Sequence, residues 1–223
     1  MVNNDNVEIN GELFFYSFME DNLSLIFDVG CRNDSLFKNF YGTVHYFDPA
    51  QDAIETLKKQ PSSNKKSYFN NIALSDKTGE LFFYPKYQSL HNRIKTCKID
   101  DDKNKKIVPV MTGYDYIKAN NINNIDFLKI DVEGHEFSVI KGFGEAISKV
   151  SIIQFEYGGT FIDTNIKLID IKDHLNGIFD KFYYLTTDRL IPITNFKDHY
   201  NYCNIICFNN NYEYTNYKDL IYE

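Results

Sequence analysis

The chain has 223 residues, 43% hydrophobic and 25% charged, the balance of one globular domain rather than of a disordered, collagenous or coiled-coil chain. Its 24 basic residues face 31 acidic ones, a net charge of -7, which argues against a nucleic-acid coat or a basic membrane-surface module. Met1 to Asn6 lack the basic and apolar regions of a secretory signal, and no apolar run approaches the roughly 18 residues that span a bilayer. The four cysteines (Cys31, Cys97, Cys203, Cys207) complete no zinc spacing, so reduced, packed thiols and a cytoplasmic location are expected.

In chain order, Glu12 to Met19 is apolar and aromatic and predicts a helix that packs on a sheet or lids a site. Leu25 to Val29, ending in Gly30, has the pattern of a buried strand. Thr43 to Phe47 is a second strand, closed by Asp48-Pro49, and Ala50 to Lys59 has helical spacing with Ala53, Ile54 and Leu57 on one face. Gln60 to Ser67 and Lys98 to Lys106 are polar and predict surface loops; the second lacks the Gly and distal Glu of a calcium loop. Tyr68 to Leu74 predicts a third strand, with Glu80 to Tyr84 as its hairpin partner. Tyr114 to Asn121 predicts a short helix, Ile125 to Asp131 a strand, Phe137 to Ser148 a helix, Val150 to Glu156 a strand and Ile166 to Leu175 a helix. Phe182 to Leu185 and Asn204 to Phe208 predict two closing strands joined through Arg189 to Pro192. Alternating strands and helices imply a mostly parallel sheet with helices on both faces and an antiparallel hairpin at the C-terminal edge.

In such sheets ligands bind beyond the carboxyl ends of the strands. The first strand ends Asp28-Val29-Gly30, where a glycine admits a ligand close to the backbone; only one glycine is present, so this is not the G-x-G-x-x-G of dinucleotide binders. Asp48 after strand two is placed to accept hydrogen bonds from a ribose diol. Ser75 and Asp76, after strand three, could line an adenine pocket. The segment Asp126 to Glu136 brings Asp131, Glu133, His135 and Glu136 within six positions. Burying that much charge is costly unless it is paired or used. Asp131 is the candidate nearest the reacting atoms, and His135, with an unperturbed pKa near 6.5, suits proton transfer at neutral pH. If the neighbouring strand places Glu156 at the same edge, then Asp131, Glu133 and Glu156 could hold a divalent cation such as Mg²⁺ or position sugar hydroxyls; hydroxyl positioning is favoured.

The succession Leu25-Ile26-Phe27-Asp28-Val29-Gly30, Phe47-Asp48-Pro49, Asn71-Ile72-Ala73-Leu74-Ser75-Asp76, Phe127 to Glu136 and Gln154-Phe155-Glu156 resembles the FkbM-type S-adenosylmethionine-dependent methyltransferases over residues 24 to 208. The Leu128 to Glu136 segment carries the specificity. The resemblance implies a class I, Rossmann-like fold with a seven-stranded, mostly parallel sheet and an antiparallel final strand. It implies one domain over 1–223: an N-terminal helical segment (1–23), a cofactor-binding core (24–160), and a C-terminal helix and hairpin (161–223). It also implies O-methylation of a sugar, glycan or related hydroxyl, with S-adenosylmethionine as cofactor and a sugar or glycan as partner. Asp28 and Gly30 match positions around the methionine part of the cofactor, with Cys31 and Arg32 next to them. Asp48, with Pro49, matches the ribose-binding acid. Ala73, Leu74 and Ser75 match the adenine side, and Asp131 matches the acid beside the transferring methyl. Asp131 or His135 is then the expected base, with Glu133 and Glu156 shaping the acceptor site.

Two departures stand out. The loop after Gly30 reads Cys31-Arg32-Asn33-Asp34-Ser35, poorer in glycine than the family's, so Arg32 could reach the cofactor carboxylate. Ahead of the Asp126 strand, Thr112-Gly113-Tyr114-Asp115 replaces the usual T-L-D. The alternatives are a nucleotide-using Rossmann oxidoreductase, disfavoured by the missing glycines, and a non-catalytic glycan- or partner-binding module on the same fold.

Overall fold

The computed structural model describes residues 6–212 and 217–221. Its centre is an eight-stranded sheet. Five strands run parallel: β1 (Leu25–Val29), β2 (Thr43–Phe47), β3 (Lys66–Asn70), β7 (Ile125–Ile130) and β8 (Val150–Tyr157). Three more extend it: β9 (Lys181–Leu185), β10 (Leu190–Pro192) and β11 (Cys203–Phe208). The order is β10-β9-β11-β8-β7-β1-β2-β3. This is the class I methyltransferase arrangement with one strand more than the seven expected. The extra strand is β10, which folds back antiparallel on β9.

The C-terminal strands β9 and β11 pair antiparallel, as expected, with β10 added outside them. β11 inserts between β8 and β9 and runs antiparallel to both. Its Ile205, Ile206 and Cys207 are completely buried, and a strand this apolar on both faces belongs inside a sheet rather than at its rim.

Period-two alternation divides the central strands between two apolar layers. Phe27, Leu128 and Ile153 pack on one side with Ile117 of α4 (Gly113–Ala119), Val139 and Ile140 of α5 (Glu136–Gly142) and Ile171 of α7 (Leu168–Leu175). Ile26, Phe127 and Ile152 pack on the other side with Phe15 and Met19 of α1 (Glu12–Met19) and Ile54 and Leu57 of α2 (Gln51–Lys59). Helices therefore cover both faces. α1 does pack on the sheet, and its first residue also reaches the site described below.

A small second sheet stands over the C-terminal ends of the large one: β4 (Ala73–Ser75), β6 (Lys106–Thr112) and β5 (Gly79–Phe83), in the order β4-β6-β5. The expected strand Tyr68 to Leu74 is thus two strands. β3 pairs with β2, whereas β4 leaves to pair parallel with β6. The partner of β5 is β6, not the Tyr68 run. The expected helix over Phe137 to Ser148 ends as α5 at Gly142 and continues as a 3-10 segment from Gly144, whose φ is +51°. Two short helices, α3 (Ile94–Cys97) and α6 (Thr160–Thr164), flank the strand ends. Among the described residues no helix is long and apolar enough to cross a membrane.

Candidate active site

The strand ends of β1, β2 and β7 open into a cavity of ≈ 890 Å³ that the small sheet roofs. Beside it, under α1, lies a second cavity of ≈ 160 Å³. Gly30, Arg32, Asp131 and Glu133 line both, so they mark the junction. The combined space suits a ligand of nucleoside size with a polar extension.

The walls of the larger cavity contain Asp48, Pro49, Ala73, Leu74 and His135 from the sequence reading, with Val108 and Phe83 from the small sheet. Asp48 is buried, and its two carboxylate oxygens accept the backbone N–H groups of Ala50 at 2.8 Å and Arg32 at 3.0 Å. Burial raises its pKa against those hydrogen bonds. Asn71, which opens the Asn71 to Asp76 motif but had no role there, donates to the carbonyls of Asp48 and Pro49 at 3.0 Å and fixes that turn. Ser75 is not in the wall. It is fully buried behind it, 2.9 Å from Nε2 of His135.

Gly30 has a further reason beyond ligand approach. Its φ is +84°, and a Cβ there would stand 1.8 Å from the carbonyl oxygen of Asp131. The ends of β1 and β7 can meet only if that position has no side chain.

The turn after β7 is built from its own acids. Glu133 and Gly134 have φ of +55° and +101°. Glu136 is fully buried, and its Oε1 accepts from the N–H groups of Val132 and Gly134, both at 3.1 Å. Burial pushes the Glu136 carboxyl up to about 8 despite those donors. The loop between β5 and β6 clamps the turn from outside through alternate residues. Ser89 donates to the Glu133 carbonyl at 2.8 Å, His91 lies 2.8 Å from Nδ1 of His135, and Arg93 donates to Glu133 Oε2 at 3.0 Å. Arg93 also donates to the Tyr202 hydroxyl at 3.0 Å. His135 therefore has both ring nitrogens engaged. Burial, then the neighbouring His91, lowers its pKa to about 3, so it is neutral at pH 7 and does not titrate near 6.5 as its free side chain would.

The smaller cavity is the acidic one. Glu12, Asp28, Asp131, Glu133 and Glu156 line it, with Cys31 beside them. Lys129 lies among them, its Nζ 3.2 Å from Asp131 Oδ2 and 3.8 Å from Glu12 Oε1. Burial opposes its charge, but Asp131, Glu12 and Asp28 outweigh that and hold its pKa above the ordinary lysine value. Ser35 donates to Asp28 Oδ2 at 2.5 Å, while Asp28 Oδ1 is buried without a partner. Burial raises Asp28 to about 6 against the pull of Lys129 and Ser35. Burial, then the charges of Asp131 and Glu133, also raises Glu156 well above the carboxylate range. The three acids proposed as a cation site do meet in one cavity. Among the described residues, however, no three His, Cys, Asp or Glu side chains are arranged to hold a metal ion, and a divalent cation at Asp131, Glu133 and Glu156 is not supported. Neither Lys129 nor Glu12 was singled out from the sequence; Lys129 sits inside the Leu128 to Glu136 motif, whereas Glu12 belongs to no motif.

The acid ahead of β7 has a structural use. Asp115 N–H donates to Thr112 Oγ1 at 2.9 Å, capping α4, and its carboxylate accepts from Thr78 at 2.5 Å.

A family model described as the methyltransferase FkbM domain matches residues 28–175. No curated protein is significantly similar in sequence. Solved structures that align along most of the chain include a Streptococcus mutans protein assigned as a methyltransferase and solved with SAH, at 9% identity and a TM-score of 0.47, covering 94% of this chain and 99% of that one. Another is a Clostridium thermocellum protein assigned as an rRNA methylase, at 12% identity and a TM-score of 0.45, covering 90% and 97%. The matched family model spans the β1, β2 and β7 ends and the Asp131 to Glu136 turn, and its cofactor, S-adenosylmethionine, replaces the dinucleotide of the oxidoreductase alternative. The chain belongs to the FkbM methyltransferase family.

Proposed function

We propose that the protein transfers a methyl group from S-adenosylmethionine to a hydroxyl of a sugar, glycan or related small molecule. The observation that carries this reading is the junction: Asp131 and Glu133 line both the nucleoside-sized cavity and the acidic one. The residues present fit the cofactor. Asp48 and Asn71 would face the ribose, Ala73 and Leu74 the adenine, and Gly30 and the unpartnered Asp28 Oδ1 the methionine amino group. Arg32, at both cavities, would meet the methionine carboxylate. When bound, the cofactor supplies a sulfonium methyl, an electrophile open to in-line displacement.

The chain must then orient a hydroxyl and take its proton. Asp131, which lines both cavities and lies 3.2 Å from Lys129 Nζ, would take that proton. His135, neutral and held on both sides, is a positioning residue in this reading. Glu133 and Glu156 offer oxygens that can orient neighbouring hydroxyls. The test is single-turnover methylation of a panel of sugars, with S-adenosylhomocysteine titrated by calorimetry in parallel. Asp131→Asn should bind S-adenosylhomocysteine while losing at least about 100-fold in rate. An unchanged rate would remove Asp131 from the mechanism. Cofactor binding with no turnover on any hydroxyl acceptor would support the non-catalytic module instead.

A further inference from the structure

The charge of this chain is unevenly distributed. Residues 85–106, which run from the end of β5 to the first residue of β6, carry seven basic side chains (Lys86, Arg93, Lys95, Lys98, Lys103, Lys105, Lys106) against three acidic ones, in a chain with 24 basic and 31 acidic residues. The three acids are committed inside the segment. Asp100 accepts from Asn92 at 2.5 Å, Asp101 is buried and accepts from Asn104 at 2.7 Å, and Asp102 pairs with Lys105 at 2.7 Å. Lys86, Lys95, Lys98, Lys103 and Lys106 are exposed and make no ion pair among the described residues.

The same surface exposes large apolar side chains. Ile94 and Ile99 are 48% and 50% exposed, and Ile162, on the adjoining α6, is 40% exposed. Hydrogen bonds link the Tyr87, Lys95 and Lys98 positions to these isoleucines. Lys98 N–H donates to the Ile94 carbonyl at 3.0 Å, the Tyr87 hydroxyl beside Lys86 donates to the Ile99 carbonyl at 2.7 Å, and Lys95 Nζ donates to the Ile162 carbonyl at 3.3 Å. Arg93 and Ser89 of the same segment grip the Glu133 turn, so the patch is anchored at the rim of the cavity.

We propose that this segment docks the protein on an anionic lipid surface. Unpaired lysines are drawn to the negative potential of acidic headgroups, and isoleucines standing beside them gain by entering the headgroup boundary. A soluble polyanion would use the lysines and leave the isoleucines in water, so their pairing selects the bilayer. Docked this way, the segment that grips the Glu133 turn would lie at the membrane, and on the proposed function a hydroxyl acceptor carried on a lipid would be held near the site.

The test is sedimentation of the full chain with vesicles of phosphatidylcholine alone and with added phosphatidylglycerol. The chain should pellet with the anionic vesicles at low salt and be released by high salt. K98E/K103E and I94S/I99S should each weaken binding about tenfold or more, with S-adenosylhomocysteine affinity unchanged as the check on folding. A single K98E variant, weakened by a smaller factor, covers the case in which a double variant fails to fold. The proposal is overturned by no binding to anionic vesicles, by equal binding to phosphatidylcholine alone, or by binding that I94S/I99S leaves intact.

Discussion

Lys129 and Asp131 lie two positions apart on one face at the end of β7, with Nζ 3.2 Å from Oδ2 and Glu12 of α1 3.8 Å from the same nitrogen. A strand alternates its faces, so i and i+2 are neighbours on the same side. Here that side holds Asp28, Glu156 and Glu12 as well. Lys129 is the ammonium that makes this group of carboxylates tolerable, and it ties the N-terminal helix to the candidate catalytic acid.

The first prediction follows from that pairing. Removing one partner of a largely buried ion pair strands the other, at a cost of about 3 kcal/mol or more. Lys129→Met should therefore lower stability by roughly that amount. The Lys129→Met/Glu12→Gln double variant should recover part of it, because one of the stranded carboxylates is neutralised. Urea unfolding of the wild type, both single variants and the double variant measures the coupling. Strictly additive effects would mean that α1 and β7 are not linked through this contact.

A second prediction separates two glycines with similar backbone angles. Gly30 and Gly177 have φ of +84° and +81°, but a Cβ at Gly30 would meet the Asp131 carbonyl at 1.8 Å, whereas one at Gly177 would meet nothing within 4 Å. Gly177→Ala should cost about 1–2 kcal/mol, the strain of a left-handed alanine. Gly30→Ala adds displacement of the β7 end and should cost more than about 3 kcal/mol. Comparable denaturation midpoints for the two would show that the β1 and β7 ends can part without penalty.

The central strands and their acids were legible because they follow simple rules. Thr43 to Phe47 and Ile125 to Ile130 are strand-forming runs closed by an acid, and the parallel sheet brings those ends to one edge, so Asp48 and Asp131 could be located from the sequence. What stayed hidden depends on partners distant in the chain. β6 (Lys106–Thr112) carries Pro109, a residue that argues against a strand interior, and it follows a lysine-rich run that reads as loop. Its existence rests on pairing with β4 and β5. Ser89, His91 and Arg93 have no periodicity to announce them, and they matter because the loop folds back on the Glu133 turn. The pKa of His135 departs from its free value for the same reason: burial and His91 set it, and neither is local in sequence.

The third prediction concerns acid stability. His135 has its pKa lowered from 6.5 to about 3 by burial and by His91. The folded state thus binds fewer protons than the unfolded state between those values. Stability from this group is present above pH 6.5 and is lost as pH falls toward 3. Asp28, raised from 3.8 to about 6, works in the opposite direction over much of that range, so the difference between variants is the informative quantity. His135→Gln should lose less stability than the wild type between pH 7 and pH 5, by up to about 1.4 kcal/mol for each pH unit. Parallel curves for the two proteins would mean that protonation of His135 is not linked to unfolding.

Glu136 provides the last prediction, and its sign is reversed. Burial raises its carboxyl from 4.5 to about 8, so the folded state holds a proton that the unfolded chain has released. Stability from this group is full below pH 4.5 and is lost as pH rises through 8. The turn does not need the charge. Oε1 accepts the Val132 and Gly134 N–H groups, and the amide oxygen of a glutamine can accept the same two. Oε2 is buried without a partner, so the glutamine NH2 carries its own cost at both pH values, but Glu136→Gln should gain on the wild type between pH 5 and pH 8 by at least about 1.4 kcal/mol, the equivalent of one pKa unit. Glu136→Ala, which leaves both N–H groups without an acceptor, should be less stable than the wild type near pH 5 by about 1–3 kcal/mol. Chemical denaturation of the three proteins at the two pH values distinguishes a carboxylate used as a neutral hydrogen-bond acceptor from one whose charge the turn requires, because in the second case the glutamine variant would gain nothing on the wild type between the two pH values.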